Sequence, residues 1–261
     1  VLNSDNFSLV LSGGGALGIA HIGVLQDMQK LELEPREIVG TSMGGIIGAS
    51  LAIGMKHDEI LSLFREFSGV MDWLSLSFET QSIISNKKIE AIFVQIFQDR
   101  KMCDTKIPLK LIATNLSSAQ ERVFCKDDDV LIKDALLATM AIPGIFESKQ
   151  IDGDIFVDGF LCENLGVNQA KSETILAVDV LGKNSFEKEL PKRFFKAQNA
   201  MEMFDKSLKI LILNQTKSNL SHIKKEFVLL EPVTKDYKTF QYNKYKEIKE
   251  LGVGLLKESL I

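Results

Sequence analysis

Ser42 stands in Gly40-Thr41-Ser42-Met43-Gly44, between an apolar strand-like stretch at 36–40 and an apolar helical stretch at 43–54. A serine hydroxyl hardly ionises near neutral pH, so it attacks a carbonyl only with a base beside it and donors for the oxyanion it creates. A G-x-S-x-G turn sets the serine on a tight strand-to-helix bend, and the helix opening at Met43 brings its positive end close to the hydroxyl. An ordinary tight turn with a capping serine has the same local pattern. The second cluster, Ser12-Gly13-Gly14-Gly15-Ala16-Leu17-Gly18, follows a strand at 7–11. Consecutive glycines turn several N–H groups toward one point, which suits a phosphate or a developing oxyanion. Gly13, Gly15 and Gly18 also fit G-x-G-x-x-G, but a dinucleotide site needs an acidic residue about 20 positions on, at the end of the second strand. Val39-Gly40-Thr41-Ser42 stands there instead. Two glycine turns in neighbouring βα units therefore point to an oxyanion hole facing a nucleophile, and to acyl transfer at Ser42.

These turns leave the base open. The order Ser42, Asp158, His222 formally matches an α/β-hydrolase triad. That fold, however, carries its oxyanion glycines after the third strand, and here they follow the first. His21 falls inside the first helix as a packed or loop-bracing residue, His57 at a helix start and His222 on an exposed loop. Asp-Gly occurs at 152–153 and at 158–159, and either pair can be a plain turn.

The elements around these residues alternate. Strand 7–11 leads to a helix at 17–31, strand 36–40 to a helix at 43–54, and a further helix runs from Asp58 to Phe67. The stretch 69–85 has no regular period. Helical spacing returns over 87–98, followed by a strand at 107–114 and a hairpin partner ending at Cys125. A helix at 130–140 stops at Pro143-Gly144, and strands 145–151 and 154–157 flank the hairpin signal Asp152-Gly153. Unalternated Ile/Leu/Val runs at 174–180, 209–213 and 226–230 read as strands buried on both faces, and a last helix covers 240–259. The pattern predicts a single three-layer α/β domain over 1–261, a mainly parallel sheet with helices on both faces.

Composition narrows the classes. With 45% hydrophobic residues and a formal net charge of −4, the chain can fill a core and lacks the basic surplus of a nucleic-acid binder. Cys103, Cys125 and Cys162 are odd in number and show no C-x-x-C spacing, as expected of reduced thiols in a cytoplasmic protein. The longest apolar stretch, Met43 to Met55, is shorter than the roughly 20 residues a bilayer requires. No charged-then-apolar leader opens the sequence, which gives no indication of secretion. Basic and aromatic residues mix at 190–195, leading into a stripe of Ala197, Met201, Phe204 and Leu208, and Trp73, Leu74, Leu76 and Phe78 lie at 70–78. Both segments suit transient contact with a membrane surface, or packing on the core.

Taken together, Gly13-Gly14-Gly15-Ala16-Leu17-Gly18, Gly40-Thr41-Ser42-Met43-Gly44 and Val157-Asp158-Gly159 resemble the three motifs of patatin-like phospholipases. Ala20-His21-Ile22-Gly23-Val24-Leu25, Ala138-Thr139-Met140-Ala141-Ile142-Pro143 and Glu163-Asn164 match flanking words, so the likeness covers about 7–180. The resemblance implies a Ser–Asp dyad without histidine: Ser42 as nucleophile and Asp158 as base. It implies Gly13, Gly14 and Gly15 as oxyanion donors, with Gly18, Gly40, Gly44 and Gly159 as motif glycines. It implies a lipid or other acyl-ester substrate, and no cofactor or metal. A thioesterase or short-chain carboxylesterase is compatible with the same dyad, and a catalytically silent lipid-binding protein with the same fold. Leu17 replaces the family's frequent Arg or Lys, Phe160 follows Asp158-Gly159 where Gly or Ala is usual, and Gly166 replaces a frequent proline.

Overall fold

Every residue of Phe7–Leu11 (β1) is buried, and so is every residue of Glu37–Thr41 (β2) and Thr174–Val178 (β7). Successive side chains of a strand point to opposite faces, so strands without exposed positions require cover on both sides. The cover differs by face. Leu9, Leu11, Ile38, Leu176 and Val178 join one apolar cluster with Ile22, Val24, Ile47 and Leu136. Val10, Val39, Ile175 and Ala177 join another, with Leu165, Val167 and the partly buried Leu220 and Ile223. The computed structural model describes residues 6–65, 86–186 and 198–260.

The helices are Ala20–Lys30 (α1, entered through a 3-10 turn at Gly15–Ile19), Met43–Ala52 (α2), 57–65 (α3), Lys87–Phe97 (α4), Ile132–Thr139 (α5), Gln198–His222 (α6), Tyr245–Glu250 (α7) and Leu255–Leu260 (α8). The remaining strands are Leu109–Asn115 (β3), Gln120–Phe124 (β4), Lys149–Ile151 (β5), Asp154–Asp158 (β6) and Glu226–Leu230 (β8). They form one sheet of order β5-β6-β3-β2-β1-β7-β8, with β4 also on β3. The pairs β1–β2, β2–β3, β1–β7 and β7–β8 are parallel, whereas β4 and β6 run antiparallel to β3. The mainly parallel α/β sheet anticipated from the sequence is present.

The register on β3 positions the site. Thr41 pairs with Ile112, the last contact of β2 on that strand, and Asp158 pairs with Ala113, the next residue along. Because β4 occupies the other edge of β3 over Leu111–Asn115, β2 and β6 must share one edge, end to end. The end of β2 and the end of β6 thus meet.

Two elements depart from the sequence reading. The run 209–213 is not a strand but the middle of α6. A short apolar run cannot be assigned by periodicity alone. Of its apolar side chains only Ile212 is buried, whereas Ile210 and Leu211 are 46% and 65% exposed. The final helix is broken into a 3-10 turn at Tyr242–Lys244 followed by α7 and α8, with Gly254 at φ 89° just before α8. His222 ends α6 rather than sitting in a loop. The turn Asp152-Gly153 is a two-residue hairpin, with φ 51° and 89° and Ile151 paired to Asp154. The expectations for 69–85 and 190–195 fall outside the described residues, as do the side chains of Ala197, Met201 and Phe204; Leu208 is half-buried.

Candidate active site

Ser42 occupies the bend between β2 and α2 with φ 52° and ψ −122°, and is 6% exposed. A non-glycine residue in such a region carries strain of about 1–3 kcal/mol and persists only where its surroundings fix it. Thr139, the last residue of α5, fixes it: the Ser42 N–H donates to Thr139 Oγ1 at 2.9 Å, and the Thr139 hydroxyl donates to the Ile112 carbonyl. Two residues on, the Ala141 carbonyl accepts the Asp158 N–H at 3.0 Å, and the Asp158 carbonyl accepts from Thr114 Oγ1 at 3.0 Å. One segment, 139–141, therefore holds both Ser42 and Asp158.

Asp158 is completely buried. Its Oδ1 accepts the Phe160 N–H at 3.0 Å, so the backbone at Phe160 supports the carboxylate. Its Oδ2 is buried with no hydrogen-bond partner among the described residues. Burial pushes the carboxyl up to about 7, while the nearby Ser42 hydroxyl and the Phe160 N–H favour the charged form. The side chains of Ser42 and Asp158 are thus neighbours. Three other carboxyls are raised by burial: Glu163 to about 8, Asp179 to about 6, and Glu121. Glu163 accepts from Asn168, with Glu121 as its like-charged neighbour, and Asp179 accepts from Leu181 N–H. Of the four, Asp158 is the one whose charge Ser42 stabilises.

The glycine turn faces this pair. A Cβ on Gly13 would come within 3.2 Å of Ser42 Cβ and 2.6 Å of Asn164 Oδ1, so only glycine lets the turn approach the serine. The Gly13 N–H is engaged by the Asn164 carbonyl at 3.3 Å, and the Ala16 N–H by the Thr239 carbonyl at 2.7 Å. The N–H groups of Gly14 and Gly15 have no hydrogen bond among the described residues. Gly18 packs on Met43, Gly44 lies against the Leu11 and Ser12 carbonyls, Gly40 against Gly45, and Gly159 against the Ile112 carbonyl. The positive end of α2 also opens at Met43, directly after Ser42.

The histidines are placed otherwise. Buried His21 bonds through Nε2 to the Ser12 carbonyl at 2.9 Å, bracing the start of the glycine turn, and burial lowers it to about 4. His57 bonds to Gln29 at the start of α3. Leu17 is wholly buried in the core, so it presents no group to a substrate.

Several contributors lie outside the sequence reading. Thr139 is within a word that matched by resemblance, but its bond to Ser42 is a tertiary contact. Asn164, with Oδ1 buried and unpartnered, donates from Nδ2 to the Gly13 carbonyl at 3.5 Å and from its N–H to Gln215 Oε1 at 2.8 Å. Tyr242 is 4% exposed, and burial together with the Asp158 charge pushes its hydroxyl above the ordinary phenol range. Nothing in its local sequence marks it.

The mainly parallel α/β sheet thus brings a strained Gly-x-Ser-x-Gly bend, a glycine turn and a buried carboxyl together. The family model for patatin-like phospholipase matches residues 9–171, and the chain belongs to that family. Patatin-like phospholipase domain-containing protein 6 of Mus musculus is 28% identical over 190 residues, covering 69% of this chain and 14% of that protein. Lysophospholipase NTE1 of Pyricularia oryzae is 23% identical over 280 residues, covering 96% of this chain and 18% of that protein. The chain therefore spans under a fifth of the length of these two relatives. Among solved structures, VipD from Legionella pneumophila shares the fold, with a TM-score of 0.51 at 16% identity, over 97% of this chain and 66% of that one.

Proposed function

We propose that the protein is a serine acyl hydrolase acting on lipid acyl esters, with Ser42 as nucleophile and Asp158 as its base. The observation that carries this reading is the end-to-end meeting of β2 and β6 on β3, which brings Ser42 beside a buried carboxyl poised near neutral pH. Ser42 Oγ attacks the carbonyl carbon while its proton passes to Asp158. The carbonyl electron pair moves onto oxygen, held by the N–H groups of Gly14 and Gly15 and the α2 terminus. The resulting donor set is narrower than Gly13 to Gly15, because Gly13 is engaged by Asn164. Collapse expels the alcohol, which takes the proton from Asp158, and a water activated by Asp158 then releases the acid. The family membership supports a lipid substrate.

Hydrolysis of p-nitrophenyl esters from acetate to palmitate tests the reading. Ser42→Ala and Asp158→Asn should each lose at least about a hundredfold in kcat, within the range expected for a missing acid–base group. Preference for long chains supports a lipid ester, preference for acetate or butyrate a small carboxylester, and full activity in Ser42→Ala rules out this nucleophile.

The surface supports transient contact with a membrane. On α6, Met203, Ile210 and Leu211 are 46%, 46% and 65% exposed, and Leu161, whose carbonyl Gln215 of the same helix contacts at 3.4 Å, is 45% exposed. No helix among the described residues is long and apolar enough to cross a membrane. Leu211→Ser with Ile210→Ser should weaken co-sedimentation with phosphatidylglycerol vesicles several-fold, and unchanged binding would exclude this face.

A further inference from the structure

The glycine turn is held from outside by a part of the chain without any motif. Gly15 adopts φ 55°, and a Cβ there would overlap the Thr239 carbonyl, so the Thr239 backbone lies directly on the turn. The same carbonyl accepts the Ala16 N–H at 2.7 Å. Thr239 is in turn anchored to α6, its Oγ1 donating to Asp205 Oδ1 at 2.6 Å. The other oxygen, Oδ2, pairs with Lys209 at 3.2 Å, one turn along the helix. Lys209 is itself 9% exposed. A hydroxyl-to-carboxylate bond is short and stronger than a neutral one, and both ends here sit on half-buried groups. The path from α6 to the turn is thus a continuous set of contacts: Lys209, Asp205, Thr239, then Gly15 and Ala16.

We propose that Asp205 and Thr239 are positioning residues for the oxyanion donors. The Asp205 carboxylate holds Thr239, and the Thr239 carbonyl fixes the direction in which Gly14 and Gly15 present their N–H groups. This rests on the acyl-hydrolase reading above. Neither residue touches the reacting atoms. Their effect is geometric: donors of an oxyanion hole act through placement, and a shift of about 1 Å costs on the order of a hundredfold in rate. Residues 205 and 239 also lie beyond the matched span 9–171, so this support belongs to the rest of the chain.

The test uses the full chain with p-nitrophenyl butyrate, comparing Thr239→Val, Thr239→Ser and Asp205→Asn with Ser42→Ala. Both Thr239→Val and Asp205→Asn keep side-chain shape while weakening or removing the bond. We expect each to lower kcat about tenfold or more with KM within about twofold of wild type. The pH midpoint should be unchanged, and Thr239→Ser should recover most of the rate. Hydrogen–deuterium exchange over residues 12–18 provides a second readout, and faster exchange at Ala16 should accompany the slower rate. Wild-type kcat in both variants overturns the proposal, as does a loss confined to KM or a Thr239→Ser as slow as Thr239→Val. Those results leave the hydrolase reading standing if Ser42→Ala is inactive. Activity surviving in Ser42→Ala removes both.

Discussion

Thr139 shows how much a single hydroxyl carries. It accepts from the Ser42 N–H and donates to the Ile112 carbonyl, so one side chain ties the strained bend to the centre of β3. Thr139→Val preserves volume but leaves the buried Ser42 N–H without its partner and removes a bond to the Ile112 carbonyl. An unsatisfied buried group costs about 1–3 kcal/mol. Chemical denaturation of Thr139→Val should therefore show a loss of that size, together with a reduced kcat as the Ser42 bend relaxes. Wild-type stability would mean that another group, or water, satisfies the bend.

At the scale of elements, legibility followed the kind of constraint. The glycine turns at 13–18 and 40–44 were visible in the sequence because close backbone approach leaves only glycine at positions such as Gly13 and Gly44. Strands β1, β2 and β7 were visible because burial on both faces demands unbroken apolar runs. The same rule misplaced 209–213, where an apolar run lies on a helix with Ile210 and Leu211 facing outward. Local composition cannot distinguish a run buried by neighbouring strands from one left exposed on a helix. The hairpin at Asp152-Gly153 was legible because its two left-handed residues select that dipeptide. Asp158 was singled out by resemblance, since Asp-Gly alone does not separate it from Asp152. Thr139, Asn164, Asp205, Thr239 and Tyr242 were not legible as site residues, because their contacts span long sequence separations.

Across the whole molecule, the cost of burying the Asp158 carboxyl emerges as a pH dependence of stability. Burial raises Asp158 from 3.8 to about 7 in the folded protein, whereas the unfolded chain titrates near the ordinary value. Between these values the folded state holds a proton that the unfolded state has released. The contribution is complete below about pH 4 and is lost as pH rises through 7. The difference of about three pH units corresponds to at most roughly 4 kcal/mol. Glu163 and Asp179, raised by burial to about 8 and about 6, act in the same direction. Asp158→Asn stays neutral throughout, so its stability relative to wild type should increase from pH 5 to about pH 7 and level off above it. A difference that stays flat across that window contradicts a carboxyl held near 7.

The most direct measurement is covalent labelling by a fluorophosphonate across pH 5 to 9, with the modified residue located by mass spectrometry. The account predicts a single adduct on Ser42, forming at a rate that rises through about pH 7 as Asp158 loses its proton, and falling at least about a hundredfold in Asp158→Asn. An adduct on another residue, or labelling of Ser42 that is indifferent to Asp158, would contradict it.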